Sequence, residues 1–113
     1  MGFLIKILIT AVAAYVASWL LPGVYMTDIK TTIVVALVLA LLNTFIKPIL
    51  VILTIPITIL TLGLFLLIIN ALIVKLAASL VSGFHVDGWI SALLFSLVVI
   101  VVSYILEAAR GKD

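Results

Sequence analysis

Residues 47–62 read Lys47-Pro48-Ile49-Leu50-Val51-Ile52-Leu53-Thr54-Ile55-Pro56-Ile57-Thr58-Ile59-Leu60-Thr61-Leu62, and the number of times the chain crosses a bilayer turns on them. The stretch is apolar, yet each of its two prolines removes a backbone donor and crowds the carbonyl one turn back. The fourteen residues after Pro48 would reach only about 21 Å as helix, short of a hydrocarbon core of about 30 Å. Two arrangements fit: a re-entrant or interfacial hairpin with Pro56 near its tip, or helical extensions of the flanking spans that meet at Pro56. Both return the chain to the side it left, so the number of crossings stays even. A crossing within 47–62 would instead give five spans and an inverted repeat.

Outward from this linker lie four apolar segments, 3–21 and 29–46 before it and 63–81 and 89–106 after it. At 18 or 19 residues each, they span about 27 to 29 Å as helices, close to the hydrocarbon thickness. Helix is forced despite their Ile and Val content, because in lipid every backbone N–H and C=O must pair within the chain and four such segments cannot close a barrel. The predicted fold class is an all-α membrane protein of four transmembrane helices, with a Pro-broken apolar linker between two halves. It forms a single transmembrane domain over residues 1–113.

Composition demands the same solvent. Of 113 residues 68% are hydrophobic and 9% charged, with a mean hydropathy of +1.65, whereas soluble domains are about half apolar and a quarter charged. The chain has no cysteine, which excludes disulfides and thiolate chemistry. Its cations are scattered singly rather than gathered in the basic patch that nucleic acid requires. The expected partners are the lipid bilayer and further copies of the chain, with no nucleic acid and no cofactor.

The two halves align at a shift of sixty residues, with Leu4 on Leu64, Ala11 on Ala71, Ala17 on Ala77 and Gly23 on Gly83. The punctuation aligns as well as the apolar positions: Leu20-Leu21-Pro22-Gly23-Val24-Tyr25 falls on Leu80-Val81-Ser82-Gly83-Phe84-His85. We read this as a two-helix repeat. It also argues against taking the first segment, with Lys6 ahead of an apolar run, as a cleaved leader. In each half a glycine, Gly23 or Gly83, stops the first helix, and an aspartate, Asp28 or Asp87, is placed to cap the second.

With four spans, Lys6, Lys47, Arg110 and Lys112 fall on one side, and Lys30 alone on the other beside Asp28, His85 and Asp87. Cationic short loops stay in the cytoplasm, so both chain ends are expected there, in a bacterial cytoplasmic membrane. Among residues within the spans, Lys75 is expected either to snorkel toward Asp28 or Asp87 or to line a polar pathway. Asn43 and Asn70 are expected to hydrogen-bond across a helix contact, with pore lining as the lesser alternative. Small residues spaced by four, Thr10, Ala14 and Ser18 or Ala36 and Ala40, permit close approach of helices within one subunit or between subunits. His85 lacks companions spaced for a metal, and no nucleophile with its base, carboxylate pair or phosphate loop is present, so no enzyme is expected.

Taken together, Leu20-Leu21-Pro22-Gly23-Val24, the run from Ala40 through Asn43-Thr44-Phe45-Ile46-Lys47-Pro48 to Thr61-Leu62-Gly63-Leu64-Phe65, Asn70-Ala71, and Gly83-Phe84-His85-Val86-Asp87-Gly88-Trp89 resemble phage holin superfamily IV. This is the family of mycobacterial-type four-transmembrane holins and YvlD-like bacterial membrane proteins. The resemblance implies a holin-like protein that self-associates in the cytoplasmic membrane and permeabilises it, and it brings no catalytic residues. A four-helix bundle of this size is filled by side chains, so any permeation pathway would lie between subunits. Two alternatives stand beside it: a non-conducting structural or regulatory protein that oligomerises or binds lipid or a partner, and a small-solute channel or transporter built on the repeat.

Overall fold

The computed structural model describes residues 2–110. Helix α1 (Gly2–Leu20) is followed by strand β1 (Val24–Met26) and helix α2 (Ile29–Leu41). A π-helical turn (Leu42–Ile46) then leads without a break into α3 (Lys47–Leu53), and a short helix α4 (Ile55–Leu60) precedes α5 (Phe65–Leu80), strand β2 (Phe84–Val86) and α6 (Gly88–Arg110). Three helical stretches are long and apolar enough to cross a membrane, Gly2–Leu20, Ile29–Leu53 and Gly88–Arg110, and Phe65–Leu80 is a shorter apolar helix. At 16 residues, α5 covers about 24 Å, so the apolar turn before it, or local thinning of the bilayer, has to supply the rest of a crossing.

Helix α1 packs between α2 and α6, and α5 packs against α6 and the second long helix. Small side chains decide which face turns inward. Ala13, Ala14 and Ala17 of α1 are fully buried, as are Ala36 of α2 and Ala77 of α5, so the small-residue stripes serve helix contacts inside the subunit. Without a hydrophobic force between helices in lipid, such close van der Waals packing is what holds them together. Larger core side chains, among them Val35, Leu39, Ile69, Ile73 and Phe95, fill the centre.

The all-α expectation needs one correction. The connections read as polar turns contain a two-stranded antiparallel ribbon in which Val24 pairs with Val86, Tyr25 with His85 and Met26 with Phe84. The Thr27 N–H donates to the Gly83 carbonyl at 3.1 Å, and the Asp87 N–H to the Gly23 carbonyl at 2.8 Å. These bonds satisfy backbone groups that open turns would leave near the membrane face. Val24 and Phe84 point inward and are buried, while Tyr25 and His85 stack outside with centroids 5.1 Å apart. Both glycines flank close approaches. A Cβ on Gly23 would overlap Ser91 Oγ, and one on Gly83, whose φ is +89°, would lie 2.6 Å from Thr27 Oγ1.

Buried positions recur sixty residues apart: Ala11 and Ala71, Ala13 and Ile73, Ala14 and Val74, Ala17 and Ala77, Val24 and Phe84, Thr32 and Ala92, Val35 and Phe95, Ala36 and Ser96. Tyr25 pairs with the residue sixty positions on, and the flanking hydrogen bonds are reciprocal in the same sense.

The linker differs from both forms that place a turn at Pro56. The second long helix runs through Pro48 because the preceding turn is π-wound, with the Lys47 N–H reaching back to the Leu42 carbonyl. Widening that turn relieves the clash that a proline ring makes with the carbonyl four residues back. The helix stops at Thr54, whose Oγ1 donates to the Leu50 carbonyl at 2.8 Å. Pro56 opens α4, in a first turn where its missing N–H costs nothing. The reversal comes later, at Leu62 and Gly63, with φ of +56° and +90°.

A candidate polar cleft at one end of the bundle

From the middle of the bundle toward the end away from the ribbon, the second long helix, α5 and α6 border a cleft of about 90 Å³. The π-helical turn and α3 contribute Asn43 and Lys47, α5 contributes Asn70, and α6 contributes Ser96, with Phe95 and Ile73 among the apolar walls. Spaced by four, Asn43 and Lys47 sit on successive turns of one helix face. Ser96 is buried and donates to the Leu93 carbonyl at 2.9 Å, which leaves its oxygen facing the cleft as an acceptor. Among the described residues neither carboxamide bonds to the other or to backbone, so the expected interhelical bond between Asn43 and Asn70 is not formed. The two amides share a cavity instead.

A wider recess of about 490 Å³ adjoins it, with Asn43 on the shared wall and Lys6, Thr10, Ser103, Tyr104 and Glu107 on the far side. Glu107 is paired with Arg110 at 3.1 Å. Among the described residues no carboxylate lines the inner cleft, and Lys47 is its one cation.

The other sequence candidates lie elsewhere. Lys75 is half-buried on α5 and does not border the cleft. Five residues beyond Asn70 it is rotated by about 140° around the helix, which carries it to another face. Among the described residues it makes no ion pair with Asp28 or Asp87, the pairs that snorkelling suggested; Glu107 with Arg110 is the ion pair found.

Asp28 caps α2, with its Oδ1 accepting from the Thr31 N–H at 2.8 Å. That bond, joined by the Thr31 hydroxyl and the charge of Lys30, holds the carboxyl below its ordinary value. Asp87 does not mirror it. Gly88, the first residue of α6, has φ +79°, and among the described residues no N–H donates to the Asp87 side chain; its backbone N–H serves the ribbon instead. Lys6, Lys47 and Arg110 lie toward the cleft end and Lys30 at the ribbon end. Lys112, grouped with the first set in the sequence, lies outside the described residues.

The π turn and the polar cleft were missed as a unit. The available signal was Pro48 just after Asn43 and Lys47 in a segment otherwise suited to unbroken helix, since a proline inside a helix demands local rewinding.

Comparison with known proteins agrees with this architecture. The chain is similar to an uncharacterised protein of Streptomyces coelicolor, 46% identical over 117 aligned residues that cover 95% of this chain and 94% of the relative. It is also similar to the uncharacterised membrane protein YvlD of Bacillus subtilis, 35% identical over 114 residues covering 96% of each. No solved structure matches the chain. The profile of the family described as mycobacterial 4 TMS phage holin, superfamily IV, matches residues 1–105. With apolar helices long enough to span a bilayer and near-complete coverage by this profile, the chain is a multi-pass membrane protein and belongs to phage holin superfamily IV.

Proposed function

We propose that the chain is a non-enzymatic, four-span protein of the bacterial cytoplasmic membrane that binds lipid or a protein partner in the bilayer without conducting. The observation that carries this reading is the distribution of polarity. Ala13, Ala17, Val35, Ala36 and Phe95 are fully buried in the centre, and the exposed large side chains of the spans are mostly Leu, Ile and Val with aromatic residues among them. Polar side chains gather in two separate groups, Asp28, Lys30 and Thr31 by the ribbon and Asn43, Lys47 and Asn70 in the cleft, and among the described residues the fully buried side chains between them are apolar, so no hydrophilic track runs from face to face. A lesion or channel formed between copies would have to be lined by apolar helices.

Duplication of a helical hairpin accounts for the sixty-residue recurrence of burial and for the self-reciprocal ribbon. The positions of Lys6, Lys47 and Arg110 favour the cleft end, and with it both chain ends, in the cytoplasm. Cysteine pairs in place of Ser82 and Ala108, labelled from outside intact cells, test this orientation: Ser82 should react and Ala108 should not.

The second reading is holin-like self-association with permeabilisation, and the family description favours it. Its sequence motive is weakened because the small-residue stripes are used within the subunit. Purified protein reconstituted in liposomes loaded with a small dye and a fluorescent protein separates the readings. We expect retention of both. Release of the large marker selects the holin reading, and release of ions or dye alone selects a small-solute channel.

A further inference from the structure

We propose that Asn43, Lys47 and Asn70 in this cleft bind a phosphate group, supplied by the headgroup of a membrane lipid. The first argument is depth. Lys47 follows Ile29 by 18 residues along one long helix, a rise of about 27 Å, which sets its ammonium near the headgroup level of the leaflet opposite the ribbon. The second is donor chemistry. A lysine ammonium is a point-charge partner for phosphate, and each carboxamide adds two N–H donors, with the Ser96 oxygen a competing acceptor on the cleft wall.

The third argument is charge balance. Among the described residues no carboxylate borders the inner cleft, and Glu107 in the adjoining recess is engaged by Arg110, with Lys6 as a further cation beside it. The volume of about 90 Å³ far exceeds the roughly 15 Å³ that admits one water, so the site accepts a polyatomic group. The π-wound turn gives the fourth. Such turns are uncommon, recur at functional sites, and here carry Asn43 within Leu42–Ile46 and hand on directly to Lys47. A glycerophospholipid seated here would direct its phosphate to Lys47 and lay its chains along the apolar grooves outside.

This inference rests on the lipid-binding reading above only for the source of the phosphate. The full chain, purified in detergent, is titrated with phosphatidylglycerol, with a neutral diacylglycerol and with inorganic phosphate, and retention is counted by native mass spectrometry. We expect phosphatidylglycerol to be retained and diacylglycerol not. Lys47→Gln should weaken retention about tenfold and Asn70→Ala by a smaller factor, while Lys47→Arg keeps most of it. Lys30→Gln, at the ribbon end, serves as the unchanged control, and equal thermal midpoints establish that the variants fold. Displacement of the lipid by millimolar inorganic phosphate would keep the anion site and transfer its source to the cytosol. Equal retention of diacylglycerol, or indifference to Lys47→Gln in a folded variant, would overturn the proposal. Dye release from liposomes reports separately on the non-conducting reading.

Discussion

Truncation of Phe95 to alanine measures what solvent this core is built for. The side chain is fully buried, and its ring lies 5.3 Å from that of Phe84 with the planes tilted by 52°. In a water-soluble protein such a change costs about 3–5 kcal/mol, the sum of a transfer term and a cavity term. Here the unfolded reference is a set of helices in lipid, whose tails are as apolar as the ring, so the transfer term largely disappears. The cavity remains: about 90 Å³ of lost ring at about 24 cal/mol per Å³ amounts to about 2 kcal/mol. A double-mutant cycle with Phe84→Ala should return a coupling of about 0.5–1.5 kcal/mol for the tilted pair. Reversible unfolding by dodecyl sulfate in mixed micelles, followed by helical circular dichroism, yields both numbers. A loss below about 0.5 kcal/mol would show that Phe95 has no packed surroundings, and one above about 4 kcal/mol would show that the transfer term survives, contrary to lipid as the exterior solvent.

Gly83→Ala should destabilise by more than Gly63→Ala in the same assay. Both glycines have positive φ, but a Cβ at position 83 meets Thr27 whereas one at 63 meets open space, so Gly63→Ala reports only the backbone cost of about 1–2 kcal/mol. Asp28→Ala removes the α2 cap and should lower the melting midpoint. Because the Asp28 carboxyl is held below its ordinary value, its contribution is complete above the usual carboxylate range and fades as pH falls through the folded value. Acidification from about pH 5 to about pH 3 should therefore lower the melting midpoint of the wild type more than that of Asp28→Ala. Pro48→Ala restores a backbone donor and lets the π turn tighten. The variant should melt no lower than wild type yet retain phosphatidylglycerol less well by native mass spectrometry.

The helical character was legible because long apolar segments in lipid have no other way to pair their backbone groups. The strands were not, since three residues such as Phe84-His85-Val86 carry no periodicity, and their pairing depends on two loops meeting across the bundle. The second span extends into the linker as one of the two readings has it, but the reversal falls at Leu62 and Gly63 rather than at Pro56, because a π turn accommodates Pro48 and Pro56 opens a further helix. Asn43 and Asn70 stand out in the sequence as polar residues in apolar helices, but their relation to Lys47 depends on the winding of Leu42–Ile46, which sequence spacing alone does not convey. Lys75 drew attention for the same reason as the asparagines, yet helical phase separates it from them. The repeat suggested a cap at Asp87 to match Asp28, and Gly88 breaks that equivalence locally.

The ribbon between Val24–Met26 and Phe84–Val86 also determines how the molecule deforms. It fastens the two hairpins at one end with backbone bonds that resist shear, while the polar cleft opens at the other. A rotation of about 5° at the ribbon, carried along helices of about 28 Å, moves the far ends by roughly 2.5 Å. For any rotation of one hairpin against the other the ribbon would thus be the pivot, and the displacement would be largest at the opposite end.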